Sequence, residues 1–159
     1  TVGQGSTFSL YLPITNERAN GSTRCTPATA SAARIWAIDD DPVQLRTARR
    51  VLVALGYEVD TFDNGSSVLD ELRRRSPLGQ PPCDLMLLDM CLGEQDDGLD
   101  LLEQVRKLCP EQRAMIVSGF AAPERAKLAD FQGLTWLLKP YTTETLGAAV
   151  VEALRSGQA

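Results

Sequence analysis

The side chains whose types could do chemistry together are Asp39, Asp40, Asp89, Ser118 and Lys139. The chain has no histidine, which removes Ser-His and Cys-His nucleophile activation and any phosphohistidine within it. Chemistry must rest on carboxylates, hydroxyls and lysine. Three carboxylates brought together repel, and unless a cation neutralises them at least one pKa rises. The set therefore implies a hard divalent ion. Magnesium, or manganese in its place, takes oxygen ligands and keeps several waters. Asp39, Asp40 and Asp89 with a backbone carbonyl such as that of Cys91 would leave room for a phosphate oxygen. Phosphoryl transfer needs an in-line nucleophile, a metal on the equatorial oxygens and donors for the remaining charge. Asp89 suits the first role, because carboxylates do form aspartyl phosphates, and Ser118 and Lys139 suit the last.

These residues can meet only if the chain brings distant positions together. Short apolar runs alternate with amphipathic stretches, the pattern of successive βα units around a parallel sheet. The runs are Ile35 to Ile38, Tyr57 to Phe62, Leu85 to Leu88, Ala114 to Val117 and Thr135 to Leu138. Tyr57 to Phe62 alternates apolar and acidic residues as a half-exposed edge strand would, whereas Leu85 to Leu88 is apolar on both faces and reads as central. Asp41 and Pro42 open a helix that carries Leu45, Ala48, Val51, Leu52 and Leu55 and stops at Gly56. Val68, Leu69 and Leu72 mark a second helix. A helix after Gly98 is expected to bury Leu101, Leu102, Val105 and Leu108. A short one opens at Pro123, and the last, capped near Thr142, carries Leu146, Ala149, Val150, Ala153 and Leu154. That makes five strands and five helices. Asp39 and Asp40 follow the first strand, Asp89 the third, Ser118 the fourth and Lys139 the fifth, and open parallel sheets bind ligands at those carboxyl ends.

Composition narrows the partners. Lys and Arg number 16 against 21 Asp and Glu, a net charge of −5, which argues against nucleic acid or anionic lipid. No stretch approaches the roughly 20 apolar residues that span a bilayer, and the N-terminus lacks a basic-then-apolar signal. A cytoplasmic protein without direct membrane contact is expected. Cys25, Cys83, Cys91 and Cys109 lack metal-site spacing and read as reduced thiols.

RIWAIDDDP, DLMLLDM, IVSGF and WLLKPY, in this order and spacing, resemble the receiver domain of two-component response regulators, over residues 34 to 156. The resemblance implies a flavodoxin-like (βα)5 fold, with a five-stranded parallel sheet of order 2-1-3-4-5 and helices on both faces. It makes Asp89 the phosphoacceptor, Asp40 a direct metal ligand, Asp39 a ligand acting mainly through water, Ser118 the switching hydroxyl, Lys139 the phosphoryl-binding cation and Trp136 the rotating aromatic. Phosphoryl transfer then comes from a phosphohistidine on a histidine kinase core, in cis or in trans, or passes to a histidine phosphotransfer protein; a homodimer is a further option. Three departures stand out. Gly93 replaces a usual proline and Asp97-Gly98 arrives one residue late, Trp136 is larger than the usual Tyr or Phe, and Phe120 could shade the phosphoryl group from water. The first bears on dephosphorylation rate, the second on switch amplitude, the third on a long-lived phosphoryl group.

The stretch Gly3-Gln4-Gly5-Ser6-Thr7-Phe8 followed by Ser9 to Pro13 resembles the last glycine box and closing strand of a histidine-kinase ATP-binding domain. Residues 1–13 then read as a remnant of such a domain and 14–33, rich in Asn, Ser, Thr, Ala and Gly, as a flexible linker. The expected parent is a hybrid sensor kinase, of a class that can be membrane-attached through its other parts, with this receiver at its C-terminus and no output domain. Two other classes compete. A haloacid-dehalogenase-like phosphatase would use Asp39-Asp40-Asp41 as its DxD motif and Asp39 as nucleophile, but it leaves Asp89 unexplained and wants Gly where Pro42 stands. An unphosphorylated receiver-like interaction module would not need the acidic set. The bland readings are a helix cap for Asp41, a solvated loop for Asp96 and Asp97, and edge-strand packing for Trp136.

Overall fold

The structure, a computed structural model, describes residues 32–75, 81–93, 97–119 and 134–156. Five strands, β1 (Arg34–Ile38), β2 (Glu58–Phe62), β3 (Leu85–Asp89), β4 (Ala114–Ser118) and β5 (Thr135–Leu138), form one parallel sheet of order β2-β1-β3-β4-β5. The fold expected from the sequence is the one observed. Its helices among the described residues are α1 (Pro42–Ala54), α2 (Gly65–Arg75), α3 (Gly98–Leu108) and α4 (Thr143–Arg155). The expected helix at Pro123, the N-terminal segment 1–13 and nearly all of the linker 14–33 lie outside the described residues.

Strand composition explains strand position. β4 is buried at every residue, and β1 and β3 are buried except at one end, as runs without polar alternation require. β2, with its alternating acids, takes the edge. Period-two alternation then sends Trp36, Ile38, Met86, Leu88 and Ile116 to one face, where Val68 and Leu72 of α2 and Leu99, Leu101, Leu102 and Val105 of α3 cover them. Ile35, Ala37, Leu85, Leu87, Met115 and Val117 meet Ala48 and Leu52 of α1 and Leu146, Ala149, Val150 and Ala153 of α4 on the other.

Helix ends follow their expected signals. The Asp41 carboxylate accepts from the Val43 amide at 2.7 Å with Pro42 behind it. Gly56, at φ 94°, takes the left-handed conformation that closes α1. A reciprocal capping box between Thr142 and Thr145 opens α4. One burial expectation fails, since Leu108 is 42% exposed. Leu108 is the last helical residue, and the next one, Cys109, fully buried, continues the core in its place. Accordingly, Leu102→Ala is expected to cost about 2–5 kcal/mol in urea unfolding, and Leu108→Ala under about 1. Equal losses for both would contradict this packing.

Candidate functional site

The register places the chemistry. Ile38 pairs with both Phe62 and Leu88, Asp89 with Val117, and Ser118 with Leu138, so each reactive residue ends its strand or stands one or two steps beyond it at one pole of the sheet. At that pole carboxylate oxygens of Asp39, Asp40 and Asp89 lie within 4.8 Å of one another. Asp39 is buried, Asp89 half-buried and Asp40 exposed. The Lys139 ammonium donates to Asp39 Oδ2 and to Asp89 Oδ1, at 2.9 Å each. The other oxygen of Asp39 accepts from the Asp41 amide at 2.9 Å, so the α1 cap and the acidic cluster share one turn. Ser118 is 3% exposed at the end of β4, and its carbonyl accepts from the Lys139 amide at 2.7 Å. The following Lys139–Pro140 peptide is cis.

Electrostatics follow from burial. Desolvation pushes the Asp89 carboxyl above its ordinary range, against the lowering effect of its hydrogen bond from Lys139. Burial also opposes the Lys139 charge, but the hydrogen bonds to Asp39 and Asp89 outweigh it and its pKa is raised. Tyr141 lines a cleft with Asp39, Asp89, Leu45, Ala48 and Val117, and burial raises its pKa too. A raised carboxyl pKa means that folding favours the protonated form, so the benefit is present at low pH and lost as pH rises through the folded pKa. In chelator, Asp89→Asn is therefore expected to raise the Tm at pH 7, with the gain fading as pH falls through the folded pKa and gone below the ordinary carboxylate pKa of roughly 4. A lower Tm for the variant at pH 7 would reverse that sign.

The donor set is all oxygen, which fits a hard divalent cation such as magnesium. Asp39, Asp40 and Asp89 would hold it, with the Cys91 carbonyl following on the loop after β3. Cys91 itself is exposed, and with Asp97 it forms an isolated antiparallel bridge. Gly93 in that loop has φ +91°, which a proline ring could not adopt, so the departure at this position goes with a different loop path. Trp136 pairs with Ile116, two residues before Ser118, and packs half-buried against the core on the α2 and α3 face. Phe120 lies outside the described residues. Cys83 and Cys109 are buried, and burial pushes the Cys83 thiol up to about 12, which leaves it inert.

Two residues have more to do here than the sequence reading gave them. Asp97, read as solvated loop, is the N-cap of α3 and accepts from the Leu99 amide at 2.8 Å. The signal was present, an Asp-Gly step directly before the apolar stripe Leu99, Leu101, Leu102. Tyr141 carried no such signal, because its place beside Asp39 and Asp89 depends on the fold.

The sequence profile described as the response regulator receiver domain matches residues 35–151. The alginate biosynthesis transcriptional regulatory protein AlgB of Pseudomonas syringae pv. tomato is 36% identical over 132 residues, which is 82% of this chain and 28% of AlgB. The sensor kinase CckA of Brucella abortus is 29% identical over 165 residues, 96% of this chain and 17% of CckA. Among solved structures, a CheY-like response regulator receiver domain protein from Methanospirillum hungatei JF-1 superposes with a TM-score of 0.67 at 26% identity, covering 80% of this chain and 98% of that one. The chain spans about a quarter of the length of the AlgB relatives it matches.

Proposed function

The chain belongs to the response regulator receiver domain family of two-component systems, and from that premise we propose that Asp89 accepts a phosphoryl group from a phosphohistidine in a magnesium-dependent reaction. The observation that carries this reading is the pairing of Asp89 with Lys139 at 2.9 Å inside the cluster of Asp39, Asp40 and Asp89. A bond forms between an Asp89 carboxylate oxygen and phosphorus as the phosphorus–nitrogen bond breaks, and the electron pair leaves on the imidazole. Bound magnesium supplies charge neutralisation for the equatorial phosphoryl oxygens. Asp39, Asp40 and Asp89, with the Cys91 carbonyl, would hold that ion. Lys139 leaves its carboxylate partners to meet a phosphoryl oxygen, and Ser118 donates to another. Drawing Ser118 toward the phosphoryl group biases a pre-existing equilibrium, with Trp136 on the neighbouring strand responding, so that the surface around β5 and α4 differs between the two states.

The partner is a histidine kinase core or a histidine phosphotransfer protein. The match to CckA runs over 96% of this chain, well beyond residues 35–151, which supports a parent that is itself a hybrid sensor kinase, with residues 1–13 from its ATP-binding domain and 14–33 as linker. Among the described residues no helix is long and apolar enough to cross a membrane, and a cytoplasmic receiver follows from this reading.

The test is to trap the acyl phosphate after incubation with magnesium and acetyl phosphate, reduce it with borohydride and map the modified peptide. Modification at Asp89 is the expected result. Modification at Asp39 would instead favour the haloacid-dehalogenase-like alternative, and no modification would leave the shape-only interaction module.

A further inference from the structure

The backbone leaving β3 must pass from the sheet into a loop while keeping its polar groups paired. The Met90 amide donates to the Val117 carbonyl on β4 at 2.9 Å, and the Met90 carbonyl accepts from the Gly98 amide at the same distance. One residue on, Cys91 bridges to Asp97. The segment behind the Asp89 carboxylate is thus gripped on one side by a central strand and on the other by the first turn of α3.

Gly98 packs without any margin. A Cβ there would collide with the Asp89 carbonyl oxygen and stand 3.2 Å from its carbonyl carbon and 3.3 Å from Met90 Cα. All three are backbone atoms, so no side chain can rotate aside. The turn that delivers Gly98 is itself fixed, because Asp97 at φ −102°, ψ 135° caps it through the Leu99 amide and Leu99 is fully buried.

We propose that Asp97 and Gly98 are positioning residues for the phosphoacceptor, setting the Asp89 carboxylate and the Cys91 carbonyl from the start of α3. The inference rests on the reading of Asp89 as phosphoacceptor and deepens it. A site held by the first turn of a core-packed helix keeps its geometry better than one held by a free loop. Misplacement of a nucleophile by about 1 Å costs on the order of 100-fold in rate, and loss of groups that orient metal ligands costs on the order of 10–100-fold in affinity.

Three variants of the full chain test it, each by magnesium titration calorimetry without phosphodonor, by acetyl phosphate labelling at saturating magnesium, and by Tm. Gly98→Ala is expected to bind magnesium at least about tenfold more weakly and to label about 100-fold more slowly. Asp97→Ala, which loses the cap, should also bind more weakly. Asp97→Asn, which keeps an acceptor for the Leu99 amide without the charge, should recover affinity close to wild type and so separate capping from electrostatics. Should Gly98→Ala not fold, the Asp97 pair decides. A purely structural role lowers the Tm and leaves magnesium affinity unchanged, and that result in Asp97→Ala, with wild type labelled normally, overturns this inference alone. Equal weakening in Asp97→Ala and Asp97→Asn overturns it as well, because charge would then explain both. A wild type unlabelled at Asp89 overturns the receiver reading and this inference with it.

Discussion

Asp89→Asn is expected to gain no phosphoryl group when incubated with magnesium and acetyl phosphate, whereas the wild-type chain is expected to gain one per molecule in intact mass. The substitution is nearly isosteric, and its amide oxygen still accepts from Lys139 where the carboxylate now accepts at 2.9 Å. What it lacks is an anionic oxygen able to form the acyl phosphate. Removing the attacking atom of a covalent mechanism is expected to lower the labelling rate by at least about 1,000-fold. Because burial disfavours the charged form of Asp89, the variant should fold at least as well as wild type at neutral pH, so loss of labelling cannot be ascribed to unfolding. Labelling that persists in Asp89→Asn would move the nucleophile to Asp39, whose carboxylate lies in the same cluster.

The architecture of this site was legible because strands and helices announce themselves by period and composition. The apolar run Leu85 to Leu88 could only be central, and the mixed Tyr57 to Phe62 could only be an edge. Both assignments follow from how many faces of a strand are covered, which side-chain alternation records directly. The convergence of Asp39, Asp89, Ser118 and Lys139 then followed from topology, since parallel strands put all their carboxyl ends at one pole. What stayed hidden was tertiary. Period alone put Leu108 on the same stripe as Leu101, but it cannot say where the helix outruns the core, and there Cys109 replaces Leu108. The collision that would follow from any side chain at Gly98 depends on the Asp89 carbonyl meeting it through space. Glycine in an Asp-Gly step reads as turn chemistry, and only the fold reveals that the space beside it is already taken.

Lys139→Gln should move two measurements in opposite directions, and this makes it the most discriminating substitution at the site. Lys139 is 21% exposed at its side chain and contacts two carboxylates that are 12% exposed, so its charge is felt with little solvent between. With the ammonium gone, the cluster of Asp39, Asp40 and Asp89 is more negative by one unit, and a divalent cation no longer competes with a fixed positive charge for Asp39 and Asp89. Magnesium affinity is therefore expected to rise. Phosphorylation is expected to fall by about 100–1,000-fold at saturating magnesium, the scale of losing one preorganised donor to charge that develops during transfer. Stability at neutral pH should drop in chelator, because buried Asp39 and half-buried Asp89 lose their shared partner, and should be restored by magnesium. If affinity and labelling rate fell together, Lys139 would be acting as scaffolding for the acidic cluster rather than as the cation that meets the phosphoryl group.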